Sequence, residues 1–258
     1  NHGGIWSVAD RPRTGTQLNE FYYGNSGDVP FSGDWNCDGV ETPGLYRQSD
    51  GFVYLRNSNT QGIADLQFFF GNPGDVPLAG DFNGDGCDTV SLFRVSQHRI
   101  YIINTLGQDG AGLGVADFYF TFGNAGDVPF VGDFDGDGID EIAMYRGSTG
   151  EVFLKWELAG GVADSAFLYG LPGDIPFAGD WNGDGTDTVA LFRPSTSDWY
   201  IRLANTVGDA DHQIHVHEHG DLSSPFTGKM APSAASPPNG RTLPILSRPL
   251  PYVARLPA

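Results

Sequence analysis

The chain has 258 residues, with 32 acidic side chains against 14 basic ones and a formal net charge of −18. Such a chain lacks the basic face that nucleic acid or an anionic membrane surface requires, and no apolar run approaches the ~18 residues of a membrane span, so neither nucleic-acid binding nor membrane insertion is expected. Hydrophobic residues at 40% suffice for a real core, while 37 glycines and 17 prolines point to an all-β, turn-rich fold.

In chain order, residues 1–24 open on Asn1-His2-Gly3-Gly4 without a cleavable signal, as in a mature or excised piece. Within them, 5–8 and 20–23 read as two short strands. Residues 25–220 hold four tandem repeats. FYYGNSGDVPFSGDWNCDGVETPGLYR at 21–47 returns at 68–94, 120–146 and 167–193, and Gly24, Gly71, Gly123 and Gly170 lie 47, 52 and 47 residues apart. The longer spacing carries a Gly-rich insertion at 108–114. Its GAGLG string lacks the flanking strand and helix of a phosphate loop and reads as a loop insertion.

Each repeat predicts four short strands: V-P-x-x-G, the apolar run after an Asp-rich loop (188–193 in the last repeat), an aromatic stretch (52–56, 99–103, 152–156, 199–203), and a strand ending in an aromatic-Gly pair (66–70, 118–122, 165–169). Four strands in about 47 residues match one blade of a β-propeller, with an open array of hairpins as the competing architecture. Residues 221–258 hold 8 of the 17 prolines, four basic residues and, after Asp221, no acid. Either they are a degenerate repeat that combines with 1–24 into a composite blade, giving a propeller of about five four-stranded blades, or they are a Pro-rich tail.

The recurrent chemistry lies in the Asp-rich loop, with oxygens at alternate positions. The four copies are Asp34, Asn36, Asp38, Val40 and Glu41; Asp81, Asn83, Asp85, Cys87 and Asp88; Asp133, Asp135, Asp137, Ile139 and Asp140; and Asp180, Asn182, Asp184, Thr186 and Asp187. A hard cation such as Ca²⁺ takes six to eight oxygens. Side chains at positions 1, 3 and 5, the carbonyl at 7 and the acid at 8 would supply them, with glycine at 6 allowing the turn. Four copies, each with at least three carboxylates in eight residues, repel strongly without a cation, so about four Ca²⁺ ions are expected.

Through the aromatic-Gly pair, the V-P-x-x-G-D strand and the D-x-[ND]-x-D-G loop, residues 20–220 resemble the FG-GAP or VCBS-type repeats also found in integrin α-subunit propellers. That family commonly places its last acid at position 9 of the loop, whereas here it sits at 8. The resemblance implies an extracellular or cell-surface calcium-binding, metal-binding repeat module, secreted and engaged in adhesion or recognition of a glycan or protein ligand. A non-catalytic accessory domain of a secreted enzyme or surface protein is the alternative.

Other signals are secondary. No catalytic triad, acid pair or cofactor fingerprint stands out, so no enzyme is expected. Asp28, Asp75, Asp127 and Asp174 recur as turn residues, and Arg47, Arg94, Arg146 and Arg193 recur as partners for nearby loop acids. His212, His215, His217 and His219 are either a zinc or copper ligand set on one strand face or solvated imidazoles. Cys37 and Cys87 sit at different positions of neighbouring loops, and their pairing is open between a disulfide and free thiols.

Overall fold

A computed structural model describes residues 4–8, 19–107 and 115–215. The chain is all-β: four antiparallel four-stranded sheets arranged radially as a β-propeller, plus one two-stranded sheet. That smaller sheet pairs β1 (Ile5–Val8) with β2 (Asn19–Tyr22). Blade one is β3 (Asp28–Gly33), β4 (Thr42–Arg47), β5 (Phe52–Leu55) and β6 (Leu66–Phe69). Blade two is β7 (Val76–Gly80), β8 (Thr89–Arg94), β9 (Arg99–Ile102) and β10 (Phe118–Thr121). Blade three is β11 (Asp127–Gly132), β12 (Glu141–Arg146), β13 (Glu151–Leu154) and β14 (Ser165–Leu168). Blade four is β15 (Ile175–Gly179), β16 (Thr188–Arg193), β17 (Asp198–Ile201) and β18 (His212–His215).

Each blade is a plain meander, so sequential strands pair and no connection crosses the sheet. The first strands of successive blades, β3, β7, β11 and β15, pack against one another, which makes them the inner strands. Trp6 of β1 and Phe21 of β2 pack with Leu45 of blade one. Residues 221–258, which the composite-blade reading needs, lie outside the described residues.

The core is a series of seams between blades. Tyr46, Val53, Leu55 and Phe68 of blade one meet Val90 and Leu92 of blade two. Ile100, Ile102 and Phe120 of blade two meet Ile142 and Met144 of blade three, and Tyr145, Val152 and Leu154 of blade three meet Val189 and Leu191 of blade four. The second strands are the apolar runs because both of their faces are buried. Glycine ends the first strand where blades come closest: a Cβ on Gly132 would lie 2.7 Å from Ala178 Cβ and 2.9 Å from Asp187 Oδ2.

Two sets of hydrogen bonds recur around the ring. The carboxylates of Asp28, Asp75, Asp127 and Asp174 accept the amide three residues earlier and a two-pronged bond from Arg47, Arg94, Arg146 and Arg193. These arginines therefore pair with the turn aspartates rather than with the acids of the Asp-rich loops. Each guanidinium also lies 4.3–4.5 Å from the ring of Tyr54, Tyr101, Phe153 or Tyr200. The second set was not anticipated from the sequence. Asp65, Asp117, Asp164 and Asp211 stand before the fourth strands; each donates its amide to the last residue of the third strand. Their carboxylates accept the amides of Asn57, Asn104, Trp156 and Leu203, pinning both ends of connections that differ in length.

Candidate metal centre

All four Asp-rich loops lie between the first and second strands of a blade, at one end of the sheets. In each, the position-1 aspartate turns back into its own loop. Asp133 Oδ1 accepts the amides of Gly136 (2.7 Å) and Asp137 (3.1 Å), and Oδ2 accepts that of Gly138 (2.9 Å). Asp81 and Asp180 repeat this set, and Asp34 accepts the amides of Asp38 and Gly39. The position-5 aspartates accept the amide at position 7, where Val40, Cys87, Ile139 and Thr186 stand. Each loop is thus braced by its own backbone amides.

The loops differ at position 3. Asn36, Asn83 and Asn182 donate Nδ2 to Asp38, Asp85 and Asp184 at 2.8–3.0 Å, which satisfies one carboxylate oxygen locally. Asp135 of the third loop has no amide to offer Asp137. There Asp133, Asp135, Asp137 and Glu141 bring ligand oxygens within 4.8 Å of one another, an acidic cluster capable of coordinating a metal ion.

Glu141, at position 9, was missed in the sequence because the other repeats carry Thr42, Thr89 and Thr188 there. It is 1% exposed and accepts the Phe134 amide at 3.1 Å. Burial, reinforced by the neighbouring aspartates, pushes its pKa up to about 8, so at neutral pH it holds a proton that a bound cation would displace. Burial also raises the pKa of Asp133. The donor set is all oxygen and fits a hard divalent cation.

Position 8 has another job. Asp140 Oδ2 accepts the amide of Asp81 in the preceding blade at 2.7 Å, and its own amide donates to the Asp81 carbonyl at 2.8 Å. Asp88 does the same to Asp34, and Asp187 to Asp133. These acids, expected to complete their own loops, are placed at blade junctions. Glu41 opens the series, and its carbonyl accepts Asn59 Nδ2.

Cys37 and Cys87 form a disulfide with Cα atoms 4.7 Å apart. Their different loop positions are what permit it: position 4 of one loop faces position 7 of the next. A Cβ on Gly84 would lie 3.3 Å from Ile139 Cγ1, and one on Gly136 would lie 3.0 Å from Thr186 Oγ1. His212 and His215 lie at either end of β18, and His215 Nδ1 is 2.8 Å from Asp198 Oδ1. His217 and His219 fall outside the described residues.

No family model matches the chain, and no curated protein matches it. Among solved structures it is similar to that of BBS1N in complex with ARL6DN, soaked with lead. The TM-score is 0.42 at 11% identity, over 83% of this chain and 62% of that one. At that level the likeness transfers no function. The chain belongs to the class of β-propellers, and its repeats are tied to no family by these comparisons. They correct the expectation of a secreted, extracellular or cell-surface adhesion or recognition module, and that of an accessory domain of a secreted enzyme. The adhesion and recognition roles rested on the family resemblance, which no match backs. Among the described residues no helix is long and apolar enough to cross a membrane.

Proposed function

We propose that the chain is a cation-stiffened, non-catalytic propeller of FG-GAP or VCBS-type repeats that holds calcium in its Asp-rich loops and serves as a scaffold for a protein partner. The observation that carries the reading is the third loop, where Asp133, Asp135, Asp137 and the buried Glu141 converge. Desolvating a carboxylate among three others is costly unless a proton or a cation compensates it. The remaining loops share the same brace of amides, which supports about four sites with donors at positions 1, 3 and 5 and the carbonyl at 7. Calcium suits such loops better than magnesium, which keeps its waters and demands near-octahedral geometry.

A protein partner is supported by large apolar side chains left exposed on the outer strands, Tyr22, Phe69, Tyr119 and Leu168. Phe69 and Tyr119 also flank a cleft of about 380 Å³ between blades one and two. Calcium titration of chelator-stripped protein is the test. Each site held at about 100-fold over its Kd should add about 2.7 kcal/mol of stability, and bound calcium should approach four per chain. Melting unchanged by calcium, with no ion retained, overturns the cation reading. A photo-crosslinker placed at Tyr119 should trap a discrete protein adduct in the native cell, where one at Val162 does not. Equal trapping at both positions overturns the partner surface.

A further inference from the structure

The Cys37–Cys87 bond joins two Asp-rich loops at their ligand-bearing segments. Cys37 stands between Asn36 and Asp38, donors at positions 3 and 5 of the first loop. Cys87 donates its amide to Asp85 Oδ1 at 2.9 Å and offers the position-7 carbonyl of the second loop. The same two loops are tied by Asp88, whose carboxylate and amide bond the amide and carbonyl of Asp34 at 2.8 and 3.0 Å. The other junctions have the equivalent Asp140 and Asp187 bonds, but pair Gly84 with Ile139 and Gly136 with Thr186 where the disulfide would be.

The backbone at Cys37 adds a second observation. Position 4 is Gly84, Gly136 and Gly183 in the other loops, at φ between 74° and 81°, and Cys37 holds the same left-handed conformation at φ 63°. A Cβ is disfavoured there, and the crosslink is the feature that sets this loop apart. Cys37 is exposed and Cys87 half-buried, so the bond is within reach of a solution reductant.

We propose that the Cys37–Cys87 bridge couples the first two loops into one preorganised cation-binding unit, and that its reduction weakens the binding of cation there while leaving the fourth loop unaffected. This rests on the cation reading above. In the reaction a dithiol delivers two electrons and two protons: the S–S bond breaks, each sulfur leaves as a thiol, and the reagent closes to its own disulfide. The two loops then keep only the Asp88 bonds and must be ordered on binding, at the cost of about three- to tenfold in affinity.

Position 2 supplies a reporter for each end of the array. Trp35 flanks the first loop and Trp181 the fourth, where the second and third have Phe82 and Phe134, so Trp→Phe at either place reproduces a neighbouring repeat. Terbium(III) luminescence sensitised by Trp35 is read in Trp181→Phe for the first loop, and that sensitised by Trp181 is read in Trp35→Phe for the fourth, after subtracting the signal of the Trp35→Phe/Trp181→Phe double variant, which keeps Trp6, Trp156 and Trp199. Each is measured oxidised, then reduced with dithiothreitol, alkylated and desalted. The first-loop Kd should rise about three- to tenfold on reduction, and the fourth-loop Kd should not change. Cys37→Gly with Cys87→Ile rebuilds the Gly84–Ile139 pairing of the next junction, which avoids a strained reduced loop. It should show the weaker first-loop Kd whether or not reductant is present. Terbium binding to the first loop that is identical before and after reduction, or as tight in the double variant as in the oxidised protein, overturns the coupling alone. Absence of sensitised emission at both loops overturns the cation reading and the coupling with it.

Discussion

Removing either half of the Asp127–Arg146 pair should destabilise the propeller, and the two halves should not cost the same. The Asp127 side chain is fully buried, while that of Arg146 is 24% exposed. Asp127 accepts Arg146 Nε and Nη2 and the Asn124 amide, all at 2.8 Å. Arg146→Ala strands a buried carboxylate with only the Asn124 amide, at a cost of about 4 kcal/mol. Asp127→Ala orphans that amide and the guanidinium, but Arg146 reaches water and Glu151 lies 3.8 Å away, so about 3 kcal/mol is expected. The double variant should lose about 4 kcal/mol rather than the sum, a coupling of about 3 kcal/mol. Urea denaturation at fixed calcium measures all three, and the smaller single loss should lower the Tm by roughly 10 °C. Arg146→Lys should recover little, since an ammonium cannot reproduce the fork. Additive single losses, or either loss below about 1 kcal/mol, would refute the view that the repeated Asp–Arg pair locks each blade entrance.

Other outcomes follow from the same geometry. Asp140→Ala removes the acceptor for the Asp81 amide and should cost about 1–2 kcal/mol in urea unfolding without abolishing cation binding at the third loop. Glu141→Gln should weaken calcium at the third loop yet leave the metal-free protein as stable or more so, read by calcium titration and by melts in chelator. Gly84→Cys with Ile139→Cys should close a second inter-loop disulfide in air, adding about 2–4 kcal/mol, visible as a non-reducing gel shift and a higher urea midpoint. Asp164 has its pKa lowered by hydrogen bonds from Lys155, 2.8 Å away, and from the Trp156 amide. A depressed folded-state pKa gives stability that is full above the unfolded carboxylate pKa and lost as pH falls through the folded one. Asp164→Asn should therefore flatten the acid limb of a pH–stability curve by lowering stability modestly at neutral pH, and should match the parent protein at a pH low enough to protonate Asp164.

Strands, blades and the position of every Asp-rich loop were legible in the sequence because a propeller repeats its local rules. Gly24, Gly71, Gly123 and Gly170 all take positive φ after an outer strand, and each apolar second strand is buried on both faces. Partner choice was less legible. Asp88, Asp140 and Asp187 read as ligands of their own loops because linear spacing is blind to the neighbouring blade, and it is there that their bonds are made. Glu141 was hidden by the opposite effect, since it departs from the threonine of the other repeats, and a search for recurrence discards such departures. The cysteines looked mismatched at positions 4 and 7 until the stagger between consecutive loops was seen. Adhesion had no residue of its own to stand on and came only from resemblance. The bonds along the loops do not encode where a propeller works.

The direction of the position-8 bonds also bears on how the chain is made. Asp88 completes a loop 54 residues behind it, Asp140 one 59 residues behind, and Asp187 one 54 residues behind. On a ribosome extending the chain by about 5–20 residues per second, each first loop-aspartate therefore waits several seconds for its backbone partner, and receives it only when the following blade begins. Blades would be finished one behind the growing end, each sealed by its successor. A stalled chain would then carry one loop whose amide and carbonyl face water, always the last one made. Pulse proteolysis of arrested chains would find it as a protease-sensitive point that moves forward one repeat at a time.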